Sequence, residues 1–268
     1  MQDRSIHNQK YIRLLESSGW TRWNQPPELD KWIEKPDYVM SVSKIRHSLH
    51  NWVYLAQFTT PEVERKIEEV ISFFQQRKSP FSWTVGPHSY PTDLGDRLVA
   101  KRFRHAGTFL GLGMDLQTEW LSVEKTEPLQ IRSVQTAEEM ANFIEMSDRN
   151  YQQSDFARLL QARLSRLQQP LSNHGYLLAY WDNEIAGVAS YKLNRYEGVI
   201  HFADSYVHPS FRKRGIYRAL VDYRVQIGKK LKCRVALTEA NQETSAPILI
   251  KWGFQPLCRL EDYVYVYD

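Results

Sequence analysis

Three cations in a row, Arg212-Lys213-Arg214, stand directly before Gly215, and the chain has no denser basic cluster than Arg212 to Arg218 with Lys229, Lys230, Lys232 and Arg234 behind it. On the N-terminal side, Val199 to Val207 alternates like a strand. On the other, Ile216, Leu220, Tyr223 and Ile227 recur at helical spacing. The stretch therefore reads as a strand, a short basic turn and a helix. A helix start leaves its first backbone N–H groups unpaired and places the positive end of the helix dipole beside them. The amides from Lys213 to Tyr217 and the charges of Arg212, Lys213 and Arg214 thus converge on one spot. Such a spot binds anions, and phosphate suits it best. The alternative is an ordinary solvated helix start.

The run resembles the pyrophosphate loop of the GNAT superfamily of N-acetyltransferases, whose signature Gln/Arg-x-x-Gly-x-Gly/Ala is met at Arg212 and Gly215 and departed from at Tyr217. Two longer stretches are similar to a bacterial tandem-GNAT subgroup that carries Tyr at that place: Thr244 to Leu249 followed by Gly253-Phe254, and Pro80 to Trp83 followed by Val85 to Pro87. The resemblance implies acetyl-CoA as cofactor, held by Val207, Arg212, Lys213, Arg214, Gly215, Ile216, Tyr217, Arg218 and Asn241. The loop amides would cradle the pyrophosphate, and the Val207 backbone would bond pantetheine and offer its N–H to the thioester oxygen. The Tyr217 ring is expected to point away from the phosphates. Asn241 follows a strand where many relatives use an Asn on the cofactor, and a plain turn residue is the competing reading.

Acetyl transfer to an amine needs the amine neutral, and an alkylammonium has a pKa near ~10. By resemblance, the proton acceptors to consider are His201, six residues before Val207, and Asp204, three before it, with Asp204 preferred. Strand alternation would put them on opposite faces. Many relatives carry a Tyr as acid four residues before the Gly-Phe pair, and Leu249 stands there here. Tyr206 or Tyr191 could serve instead, water could, or the domain could be non-catalytic.

Around this centre, Ile131 to Val134 reads as a strand, and Thr136 to Glu139 as a capping box opening a helix with Met140, Phe143 and Ile144 on one side. A second helix is expected from about Asp155 to before Pro170, then strands at Tyr176 to Trp181 and Ile185 to Leu193. Beyond the basic turn come a strand at Arg234 to Thr238, a helix at Ser245 to Trp252 and a strand at Tyr263 to Tyr267. The first half repeats this order: a strand at Trp52 to Phe58, a helix marked by Val63, Ile67, Val70, Ile71 and Phe74, a strand at Phe81 to Val85, a helix from about Thr92 to Lys101, and a strand at Thr108 to Leu116. The matching junctions fall roughly 150 residues apart, about one domain. At its junction the first half has Thr59-Thr60-Pro61-Glu62-Val63-Glu64, acidic and without glycine, which would repel a phosphate. The expected architecture is α/β with a mixed sheet, the GNAT fold twice in tandem: a degenerate N-terminal domain at 1–127 that has lost its cofactor, and an acetyltransferase domain at 128–268.

Composition agrees with a globular protein of two domains: 268 residues, 42% hydrophobic and 25% charged, net charge +4. The mild basicity is explained by the phosphate loop, so a nucleic-acid or ribosome-associated role is the lesser reading. Cys233 and Cys258 make neither a disulfide framework nor a metal site and are expected as buried thiols. Residues 1–50 contribute a short amphipathic helix near Tyr11 to Glu16 and a turn at Pro26-Pro27. With no apolar leader or membrane span in the sequence, the expected location is the cytoplasm. The implied activity is acetyl transfer from acetyl-CoA to a primary amine by direct attack, the acceptor being a small molecule or peptide. A CoA or acyl-CoA sensor without catalysis is the main alternative, and monomer and homodimer both stay open.

Overall fold

A computed structural model of the protein describes residues 9–19, 29–122, 127–147, 153–167 and 172–267. The Pro26-Pro27 turn, Tyr151 and Pro170 lie outside them. In chain order the elements are α1 (Gln9–Glu16), β1 (Leu29–Glu34), β2 (Val39–Ser43), β3 (Trp52–Tyr54), α2 (Val63–Gln76), β4 (Phe81–Val85), α3 (Leu94–Ala100) and β5 (Arg104–Asp115). They continue with β6 (Leu129–Ser133), α4 (Ala137–Ser147), α5 (Gln153–Leu167), β7 (His174–Trp181), β8 (Glu184–Asn194), β9 (Val199–Val207), α6 (Ile216–Lys230), β10 (Val235–Asn241), α7 (Ser245–Lys251) and β11 (Gln255–Tyr265). The α/β architecture with mixed pairing is as expected.

The chain packs as two compact units, residues 1–113 with 239–268, and residues 114–238. This differs from the division at 127/128 expected from the sequence, because the C-terminal residues 239–268 pack with the first unit.

In the first unit the strand order is β1-β2-β3-β4-β11-β5. The C-terminal strand β11 lies antiparallel to both β4 and β5, with Asp262 level with Thr84 on one side and Gly107 on the other. Helix α2 buries Val63, Ile67, Val70 and Phe74, a stripe at spacings of four, three and four, against Phe81 and Trp83 of β4. Each such fully buried side chain contributes on the order of 1.5–3 kcal/mol. The strand expected over 52–58 ends at Tyr54, because Leu55 takes a left-handed conformation, φ 53°. Strands β1 and β2 have no counterpart in the sequence reading.

In the second unit the order is β10-β9-β8-β7-β6, parallel between β10 and β9 and antiparallel elsewhere. The capping box at the start of α4 forms reciprocally: Glu139 N–H donates to Thr136 Oγ1 and Thr136 N–H to the Glu139 carboxylate, both at 3.1 Å. Helix α6 lies close to β9. A Cβ on Gly228 would come within 2.8 Å of Ile200 and of Leu116, so the position demands glycine. Cys233 sits in the turn before β10 and Cys258 on β11; both are free and half-buried, and burial pushes the Cys258 thiol up to about 12. No helix among the described residues is long and apolar enough to cross a membrane.

Candidate functional site

The ladder between β9 and β10 runs from Val199↔Val235 to Phe202↔Thr238 and stops, although β9 continues for five residues. At that point β9 also bulges. Against β8, Ala203 pairs with Ser190 and Tyr206 with Val188, so Asp204 and Ser205 together oppose Ala189 alone, and Asp204 has φ 47°. Past the bulge, Gly187 and Val207 face each other, and the adjoining bond is His208 N–H to Ala186 C=O at 2.9 Å. In an antiparallel ladder that makes Gly187–Val207 a pair without mutual bonds, so the N–H and C=O of Val207 turn away from β8. They face the edge where β10 has ceased to pair. The Val207 carbonyl accepts there from Arg212 Nε at 3.4 Å.

The loop after β9 begins with one tight turn, Phe211 N–H to His208 C=O and Arg212 N–H to Pro209 C=O. Lys213 and Gly215 then adopt left-handed conformations, φ 64° and 77°, with Arg214 between them. Alternation of this kind gathers successive amides into an anion-binding concavity. The N–H groups of Lys213, Arg214, Gly215 and Ile216 meet no acceptor among the described residues. A Cβ on Gly215 would touch nothing within 4 Å, so glycine is required there by its backbone alone. Arg212, Lys213 and Arg214 are exposed, and the Arg214 guanidinium lies 5.0 and 5.4 Å from the ring centroids of Trp181 and Phe211. Tyr217 is half-buried. Burial raises its hydroxyl pKa, while the nearby Arg224 charge opposes the rise. Arg218 lies over the Trp120 ring at 4.1 Å and donates to Leu121 C=O. Four free amides, two left-handed residues and an unpaired strand edge fit the diphosphate and pantetheine of an acyl-CoA.

The remaining sequence-derived residues separate. His201 is 2% exposed and level with Lys192 on β8 and Leu237 on β10, inside the closed part of the ladder. Asp204 is exposed at the bulge, and its carboxylate accepts from Ser190 Oγ at 2.7 Å. The two differ in burial, His201 enclosed and Asp204 exposed. Tyr206 is half-buried opposite Val188. Tyr191 lies against Gly175, and burial raises its hydroxyl pKa. Asn241 belongs to the first unit, and its carboxamide oxygen accepts from Glu243 N–H, Thr244 N–H and Thr244 Oγ1, closing the turn into α7. Leu249 is 2% exposed in α7 and supplies no acid.

Sequence reasoning missed Arg224. It is 1% exposed on α6, donating from Nε to Leu220 C=O and from Nη1 to Ser190 C=O and Ala203 C=O at 3.2 and 3.3 Å. Its guanidinium lies 4.5 Å over the Phe202 ring. The signal was available: a cation four residues after Leu220 in the apolar stripe of the helix. Burial lowers its pKa to about 10, while the neighbouring Tyr217 and Asp204 pull it back up, so it stays charged at neutral pH.

Residues 138–254 match the acetyltransferase (GNAT) family. None of the curated proteins matches the chain. Among solved structures, a GCN5-related N-acetyltransferase from Kribbella flavida superposes with a TM-score of 0.70 at 15% identity, over 98% of this chain and 97% of that one. A functionally unknown conserved protein from Staphylococcus epidermidis gives 0.68 at 13% identity, over 94% and 100%. A tandem GNAT protein from the clavulanic acid biosynthesis pathway gives 0.59 at 13% identity, over 98% and 95%.

Proposed function

We propose that this chain, a member of the GNAT superfamily by its matched domain and its fold, transfers an acetyl group from acetyl-CoA to the primary amine of a small molecule or peptide. The carrying observation is the junction after β9, where four unpaired amides and the outward-turned Val207 N–H border an open strand edge. Bound there, acetyl-CoA supplies a thioester carbonyl for the amine to attack. The Val207 N–H stabilises the negative charge that grows on the carbonyl oxygen. The amides of Lys213 to Ile216, helped by the charges of Arg212 and Lys213, anchor the diphosphate. The exposed carboxylate of Asp204, oriented by Ser190, takes a proton from the acceptor's ammonium, directly or through water, so that the neutral amine can attack. His201, enclosed in the ladder, is assigned a structural role, and Tyr206 is the remaining hydroxyl beside the bulge to protonate the leaving thiolate. Asn241 is kept only as a turn residue. The duplication is read as 1–127 and 128–268, with the second half carrying the activity.

Isothermal titration with acetyl-CoA tests the cofactor, with one equivalent bound as the expected result; no binding at high micromolar concentration removes the reading. Thiol release against amines, polyamines, aminoglycosides and peptide N-termini then finds the acceptor. Asp204→Asn should lower kcat more than cofactor affinity, and an equal loss of both contradicts its role. A second reading, acyl-CoA binding without transfer, is favoured by the apolar Leu249 where relatives carry a Tyr. It is chosen if cofactor binds and no amine releases thiol.

A further inference from the structure

A bulge breaks a ladder and leaves backbone groups without strand partners, so something must hold the one at Asp204 in shape. The residue pair that opens it is Ser190↔Ala203, and both carbonyls of that pair accept from a single atom, Nη1 of Arg224. The same side chain donates to Leu220 C=O one turn back on α6, which ties the guanidinium to the helix frame. Burying a charge is costly unless its donors are matched. Here three carbonyls, the face of Phe202 and the nearby Asp204 charge meet that demand. Ser190 completes the arrangement from the other side: its carbonyl goes to Arg224 and its hydroxyl to Asp204.

The bulge decides two things that the transfer step needs. It sets where the Asp204 carboxylate sits, and by adding one residue it determines that the amide of Val207 faces the open edge instead of β8. The amide cradle of the loop is built from other bonds, those of His208 to Arg212, and does not use Arg224. We infer that Arg224 is a positioning residue of the acetyl-transfer site, holding the β9 bulge, with Ser190, so that Asp204 and the Val207 N–H stand in register for the reaction. The planar fork of arginine, with donors fixed relative to one another, suits two carbonyls side by side in a way the single ammonium of lysine does not. This rests on the acetyltransferase reading for its consequence, but not for its geometry.

The test separates the two. Arg224→Met, Arg224→Lys and Ser190→Ala are compared with the wild type for acetyl-CoA affinity, for kcat with the best amine, and for amide hydrogen exchange at 203–207. Misplacing a reacting group by about 1 Å can cost about 10²-fold in rate. Arg224→Met is therefore expected to lose about 100-fold in kcat with acetyl-CoA affinity changed less than about threefold, Arg224→Lys to recover part of it, and Ser190→Ala to lose about tenfold. Exchange should rise at 203–207 in all three and stay unchanged at 213–216. Equal loss of affinity and turnover, no difference between Lys and Met at 224, or unchanged protection at 203–207 overturns the inference. Should Arg224→Met fail to fold, Ser190→Ala, which removes only the hydroxyl bond to Asp204, decides the matter by the same readouts. A wild type that releases no thiol with any amine defeats the acetyltransferase reading, while the exchange measurement still reports on Arg224.

Discussion

Two of the strand-to-helix junctions, the one after β3 in the first unit and the one after β9 in the second, differ in that only the former is closed. After β9, the ladder to β10 stops at Phe202↔Thr238, the loop amides from Lys213 to Ile216 are unpaired, and the flanking side chains are cationic. After β3, the chain is stitched to the segment following β4: Phe58 N–H donates to Tyr90 C=O at 2.9 Å and Tyr90 N–H to Ala56 C=O at 2.8 Å, with Gln57 bridged to Tyr90 in parallel. The turn into α2 is also satisfied from within, since Thr59 C=O accepts from both Glu62 and Val63. Its carboxylates are occupied as structural charges, Glu62 with Arg65, and Glu64 with Arg97 and Lys101. The lesson is that the two junctions differ in backbone bonding as well as in charge. At the first junction the amides of Phe58, Glu62 and Val63 are spent on the protein's own carbonyls.

That contrast can be broken at its open end most sharply by Gly215→Val. A β-branched residue at φ 77° is strained by on the order of 1–3 kcal/mol, so acetyl-CoA affinity in titration should fall about 10- to 100-fold, and unchanged affinity would mean the loop is not the anchor. Lys213→Glu, which writes the charge of the first junction into the second, should weaken binding by roughly 1 kcal/mol, several-fold, and the deficit should shrink as salt is raised. Buried acids also set the units apart. In the first unit Asp262, bonded by Thr84 Oγ1 at 2.8 Å, has its pKa pushed up to about 7, chiefly by burial and further by Glu239. The folded state therefore keeps a proton that the unfolded state has lost, and stability falls as pH rises from about 4, the ordinary Asp value, to about 7. Asp262→Asn should melt a few degrees higher than wild type at pH 8 and match it below pH 4. The smallest change is expected from Glu62→Gln with Glu64→Gln. Removing these exposed charges should shift stability by less than about 1 kcal/mol and create no second acetyl-CoA equivalent, because the stitching through Tyr90 remains. A second equivalent would show that charge alone had closed the first junction.

Much of the open junction was legible in one dimension, because its chemistry is contiguous: three cations, a glycine able to take a left-handed backbone, and a helix start all lie within six residues. The capping box at Thr136 and Glu139 and the buried stripe of α2 were legible for the same reason, being local periodicities. Strands β1 and β2 were not, since Leu29–Glu34 and Val39–Ser43 are short and gain their partners only when the sheet assembles. Asp204 and His201 were found as residues, but the bulge at Asp204 and the enclosure of His201 in the ladder were not legible, because both need the partner strands.

By itself, then, the amino-acid sequence determined the basic loop with its glycine, the repeated order of elements and the acidic character of the first junction, all of which depend on residues near one another in the chain. Tertiary structure decided the bulge that turns Val207 outward, the burial of Arg224 beneath it, the stitching of Ala56 and Phe58 to Tyr90, and the insertion of β11 between β4 and β5. Each of these is a pairing between segments distant in sequence. The hydrogen bonds that select it exist only once both partners have been brought together, and no local pattern records them.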